Sequence, residues 1–152
     1  VPDRPLAELV ACFEDGTLPK AEWTHEAHLR VGLWYCAHRG AANALSRLRE
    51  GIRRYNEAVG GVNSAVAGSH ETITRFYVWR IARFVAERRL AAGDALAAHE
   101  AALLAECGDR TLPLAYWSPD ELFSRAARLG WVPPDRRPLE TPPPAPTGDP
   151  TT

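Results

Sequence analysis

Two short stretches concentrate the residues able to do acid–base or metal chemistry. They are Trp23-Thr24-His25-Glu26-Ala27-His28 and Ser69-His70-Glu71-Thr72-Ile73-Thr74. Each sets a His-Glu pair just after a helix-capping residue, Thr24 or Ser69, at the head of an amphipathic segment. His25 and His28 are spaced i, i+3 and share a helix face. His70 and Thr74 are spaced i, i+4, and Tyr77 continues that face. Glu26 and Glu71 are rotated by about one residue, within reach of a neighbouring imidazole. The positive end of a helix disfavours imidazolium and favours carboxylate. Neutral His and ionised Glu are the states a metal requires of its ligands.

The same residues have a plainer reading. Glu is common in the first turn of a helix for dipole reasons alone, and a single first-turn His often caps or packs. The strong zinc spacings are absent: His25-Glu26-Ala27-His28 has two residues between its histidines, not three, and no CxxC occurs. His38 sits at a helix C-terminus, where a cation suits the dipole, and His99 lies among alanines. Arg47, Arg49, Arg53 and Arg54 fit a solvated helix face, or alternatively a clamp for an anionic substrate or partner. Arg75 and Arg80 flank an aromatic stripe and could bind a carboxylate. Gly-rich phosphate loops, GxSxG elbows and dinucleotide fingerprints do not occur.

The elements that must position these groups read as helices throughout. Leu6, Leu9, Val10 and Phe13 predict a first helix ending at Gly16. Thr24 caps a second that runs to Gly40, and a third carries the stripe Leu45, Leu48, Ile52, Tyr55 and Val59. Residues 60–68 read as a flexible loop. Ser69 caps a long fourth helix over about 70–92, and Asp94 a fifth that ends near Cys107. Ser118-Pro119-Asp120-Glu121 carries a cap, a first-turn proline and a capping box, starting a sixth helix that ends at Gly130. The expectation is an all-α, single-domain bundle of about six helices over residues 1–137. A disordered or extended Pro-rich tail follows over 138–152. Short connections make helices two and four parallel, with both His motifs at one end of the bundle.

The chain of 152 residues is one domain by length, and 45% hydrophobic content supports a core. A net charge of −1 gives no basic excess for nucleic acid or anionic lipid. No apolar run approaches the ~18 residues that cross a bilayer. Cys12, Cys36 and Cys107 are odd in number and far apart, which points to free thiols and a cytoplasmic, reducing setting. Lys20 is the only lysine among many arginines, a bias of high-GC bacterial genomes.

At the His motifs the chain resembles an uncharacterised family of small bacterial proteins. The family pattern has an HxxHL segment, a YHETIT-like segment, and a Tyr-Ser-x-Glu-x-Leu segment ahead of a closing Pro-Asp. The matching residues here are His25, His28 and Leu29; then His70, Glu71, Thr72, Ile73 and Thr74; then Ser118, Glu121 and Leu122; and Pro134-Asp135. Ser69 and Trp117 stand where the family has Tyr. The resemblance spans about residues 15–135. It adds weight to His25, His28, His70 and Glu71 and carries no activity with it.

The sequence therefore raises three expectations. The first is a small helical metalloprotein, a metal-dependent enzyme acting on a small molecule, with a mononuclear Fe, Zn, Cu or Ni site. His28 and His70 are its central ligands, His25 or Glu71 completes it, and Glu26 is a further candidate. Glu71, Thr74 and Tyr77 would then act on or contact the substrate. The second is a metal-free enzyme in which a His is the general base and Glu71 or Glu26 orients it. The third is a non-catalytic protein that binds a small molecule. Oligomeric state is left open.

Overall fold

The computed structural model describes residues 4–61, 68–93 and 95–145. Residues 62–67 of the expected loop, the expected cap Asp94, and residues 146–152 lie outside them. The described residues form an all-α fold of seven α-helices with no strand: α1 (Leu6–Asp15), α2 (His25–Arg39), α3 (Ala41–Ala58), α4 (Glu71–Glu87), α5 (Glu100–Cys107), α6 (Pro119–Leu122) and α7 (Arg125–Leu129). Short 3-10 turns at Lys20–Glu22, Leu96–His99 and Leu112–Ala115 join them.

The architecture follows from how each helix distributes its apolar residues. α1 buries Leu6, Leu9, Val10 and Phe13, and Gly16 ends it at a left-handed φ of 78°. α3 buries the expected stripe from Leu45 to Tyr55. In α2 the buried positions Ala27, Leu29, Val31, Gly32, Leu33, Tyr35 and Cys36 lie on several sides of the helix. A helix apolar on several sides must be central, and α2 packs against α1, α3, α4 and α5. Its approach to α4 is close: a Cβ added at Gly32 would stand 2.6 Å from the Ile81 Cδ1.

A second, aromatic core joins α4 to the C-terminal segment. Phe76, Trp79, Tyr116, Trp117, Leu122, Ala127 and Val132 form it. Trp117 is fully buried and donates its Nε1–H to the Val132 carbonyl at 3.1 Å. This is how an indole enters a core without leaving its N–H unsatisfied.

Four local features differ from the sequence expectation. The cap of α4 is His70, not Ser69: its Nδ1 accepts from the Ile73 N–H at 3.1 Å. α4 ends at Glu87 rather than near 92, and α5 begins only at Glu100. The expected sixth helix is two helices, because Ser124 recaps the chain by accepting from Ala127 N–H at 3.1 Å. Ser118 does accept from the Glu121 N–H, but Asp135 occupies the rest of the capping box, accepting from the Ser118 N–H at 2.7 Å and its Oγ–H at 2.6 Å.

Residues 138–145 form no helix or strand, and part of this stretch is docked on the body. Thr141 Oγ1 accepts from the Trp79 Nε1–H at 2.8 Å, Glu140 pairs with Arg83 at 3.0 Å, and Leu139 packs on the aromatic core. The three cysteines are free, with Cys36 and Cys107 buried. Burial raises their thiols to about 12 and about 11 respectively, so both stay protonated. Among the described residues no helix is long and apolar enough to cross a membrane.

Candidate functional site

The structure divides the sequence-expected residues between two places. The cause is an axial offset. His25, in the first turn of α2, meets Tyr77 of α4 at a ring separation of 5.1 Å. Tyr77 is seven residues past His70, a rise of about 10 Å along a helix. The start of α2 therefore lies level with the second turn of α4, not with its start.

The first group is His25, His28 and Tyr77. Backbone carbonyls set both imidazole tautomers, since a carbonyl can only accept. The His25 Nε2–H donates to the Cys107 carbonyl at 3.0 Å, and the His28 Nδ1–H donates to the Thr24 carbonyl at 2.6 Å. The His28 ring stacks on Trp23 at 3.8 Å. Desolvation pulls its pKa down to about 4, against the Thr24 hydrogen bond, and the charges of His25 and Arg110 push the same way as burial. His28 is thus a neutral imidazole at pH 7. The Tyr77 hydroxyl donates to the Asp109 carbonyl at 3.4 Å, and burial raises its phenol above the usual range. Glu26 lies exposed in the first turn of α2, where the dipole favours it.

The second group is His70, Glu71 and Thr74, which line one cavity of about 190 Å3 with Arg49, Ile52, Arg53, Ser69, Arg128 and Leu129. α3, the start of α4 and α7 form its walls. His70 is buried, and both of its ring nitrogens are engaged. Because Nδ1 accepts from the Ile73 N–H, Nε2 carries the proton and donates to the Leu122 carbonyl at 2.8 Å. Burial lowers its pKa, and the nearby Arg128 charge adds to that effect. His70 is therefore a neutral clamp that caps α4 and ties it to α6.

Other bonds fasten the same corner. Thr72 Oγ1–H donates to the Gly130 carbonyl at 2.8 Å and accepts from the Val132 N–H at 3.2 Å. Arg128 donates to the Gly68 and Ser69 carbonyls. Thr74 Oγ1–H donates back to the His70 carbonyl at 2.8 Å. Glu71 pairs with Arg49 at 3.0 Å. Three guanidiniums against one carboxylate leave the cavity with an excess of positive charge, at the end of α4 where the helix dipole is also positive.

The four residues read as a mononuclear ligand set, His25, His28, His70 and Glu71, are not gathered. Among the described residues no three His, Cys, Asp or Glu side chains are grouped to hold a metal ion. His70 turns toward α6, His25 toward the end of α5, and Glu71 toward α3. The arginines Arg75 and Arg80, considered as carboxylate binders, are placed elsewhere: Arg75 lies over the Trp131 ring at 5.0 Å and Arg80 pairs with Glu106 at 3.5 Å. His38 stacks on Trp34 and donates to its carbonyl at 2.8 Å.

Sequence reasoning missed Arg128 and Leu129 as cavity residues. They come from α7, and no local pattern says that α7 folds back over the start of α4. The off-stripe positions of Arg49 and Arg53 were visible, but a solvated face and a cavity wall have the same helical spacing. Comparison with protein-family models, with curated proteins and with solved structures finds no match to this chain.

Proposed function

We propose that this protein binds a small anionic molecule in the cavity at the start of α4. The observation that carries this reading is the convergence of Arg49, Arg53 and Arg128 on a cavity with one carboxylate, Glu71. Guanidiniums bind carboxylate and phosphate through paired N–H donors, and such charge-assisted bonds are the strong ones. Ser69 and Thr74 line the same space. His70 supports the site by fixing the cavity floor. Both of its nitrogens are committed, so binding fits the geometry better than a role for His70 as general base.

The test is calorimetric titration of the protein with acetate, succinate and inorganic phosphate. Saturable binding of one or more is expected. Arg53→Gln removes a cavity charge from an exposed α3 position and should weaken binding roughly tenfold or more. Arg54→Gln, on the same helix outside the cavity lining, should leave it within a factor of two or so. Equal loss in both variants would mean a nonspecific charge effect and would sink the reading.

A second reading rests on His25 and His28. Each ring donates one N–H to a backbone carbonyl, the arrangement that orients metal-ligating imidazoles. The two would be half of a site for Zn, Ni, Cu or Fe, completed by groups from elsewhere. Metal titration of the wild type and of His25→Ala and His28→Ala checks it. Stoichiometric uptake unaffected by both substitutions would refute it.

A further inference from the structure

The cavity has an apolar wall that a bare inorganic anion does not need. Ile52 and Leu129 line it beside the three arginines. Ile52 is buried, but Leu129 is 58% exposed. Leu129 and Phe123, at 63%, are the large hydrophobic side chains left exposed among the described residues; Phe123 follows α6 and Leu129 ends α7. A single exposed leucine is ordinary. One exposed at the lip of a cationic cavity is placed to meet the hydrocarbon part of a ligand.

Size points the same way. At about 190 Å3 the cavity is comparable to an engineered apolar cavity of about 150 Å3 that takes up benzene. A carboxylate or phosphate head fills part of that space and leaves room for several carbons. Polar groups that fix orientation beside an apolar wall are the usual make-up of small-molecule sites.

From these observations we infer that the ligand is an amphipathic anion: a carboxylate or phosphate head carrying a short hydrocarbon chain. The head meets Arg49, Arg53 and Arg128, and the chain lies along Ile52 and Leu129. This rests on the anion-binding reading above and names the class of its ligand.

The experiment is a chain-length series with two heads. Acetate, butyrate, hexanoate and octanoate form one arm; inorganic phosphate, butyl phosphate and hexyl phosphate form the other. Each is titrated into wild type and Leu129→Ser, a change at an exposed position, with circular dichroism to check folding. Affinity in the wild type should rise roughly two- to fourfold per added methylene over the first carbons and then level off. The better arm identifies the head. In Leu129→Ser the rise with chain length should flatten.

Binding of the heads with no chain-length dependence would overturn this inference and leave the anion site standing. Undiminished dependence in Leu129→Ser would overturn the assignment of the wall. No binding in either arm would overturn both readings. If Leu129→Ser instead dissolves a dimer seen by sedimentation and the ligand series is flat, the exposed leucine serves a second copy of the chain, and the inference fails.

Discussion

His28 should make this protein acid-sensitive by an amount that the structure sets. The imidazole is neutral in the fold, with its pKa lowered from 6.5 to about 4, mainly by burial. In the unfolded chain it protonates near 6.5. Between these values the unfolded state binds more protons, so stability rises with pH. The contribution is complete above about pH 6.5 and is lost as pH falls toward 4. A shift of this size is worth about 3 kcal/mol in all, with about 2 kcal/mol gone by pH 5. For a chain of this length 2 kcal/mol is roughly 4–8 °C in Tm. His70 acts with the same sign, since burial lowers its pKa too. The perturbation is His28→Phe, which keeps an aromatic ring on Trp23 and removes the titrating group. The Thr24 carbonyl still accepts the backbone N–H of residue 28 at 3.0 Å, so losing the side-chain bond should cost only about 1 kcal/mol at any pH. Urea unfolding at several pH values compares the two proteins. The wild type should lose about 2 kcal/mol more than His28→Phe between about pH 7.5 and pH 5. Parallel stability curves, or a His28 NMR titration near 6.5, would refute the argument.

Three further predictions follow from named contacts. His70→Ala removes the α4 cap and the bond to Leu122, and should lower unfolding free energy by about 2 kcal/mol; His70→Asn, which can still cap, should recover about half. Equal losses in the two variants would show that the cap contributes nothing. Gly32→Ala places a methyl against Ile81, and overpacking of about 1–3 kcal/mol should outweigh the gain of about 1 kcal/mol in helix propensity. A more stable variant in urea unfolding would mean that α2 and α4 do not approach so closely. Glu100→Gln removes the carboxylate that pairs with Arg30 at 2.5 Å, where both side chains are largely buried, and should cost about 3 kcal/mol by leaving a guanidinium uncompensated between α2 and α5. Thermal unfolding within a degree or so of wild type would contradict that.

The helical class, the apolar stripes and several caps were legible because they depend on neighbours in sequence. The α3 stripe from Leu45 to Tyr55 and the cap at Thr24 are of this kind. Ser124 shows where local reading runs out. Its side chain competes with helix continuation, and the outcome depends on Phe123 turning outward while Leu122 and Ala127 pack inward. The docking of Thr141 on Trp79 has no local signal, since a Pro-rich stretch reads the same whether packed or free. The candidate site was legible as residue types but not as one place. Helix direction can be argued from short loops, whereas the offset of α4 along α2 is fixed by side-chain packing such as Gly32 against Ile81. That offset separates His25 and His28 from His70 and Glu71. It also leaves the second pair among arginines that helical spacing alone assigns to solvent.

The central claim is the location of an anion site. Its most direct measurement is a nitrogen-15 NMR titration of the labelled protein with butyrate and with butyl phosphate. Saturable shifts, sharing one dissociation constant, are expected in the amides of Ser69 to Thr74 and of Arg128 and Leu129, with their loss in Arg53→Gln. Shifts confined to the His25, His28 and Asp109 region, or scattered without saturation, would contradict it.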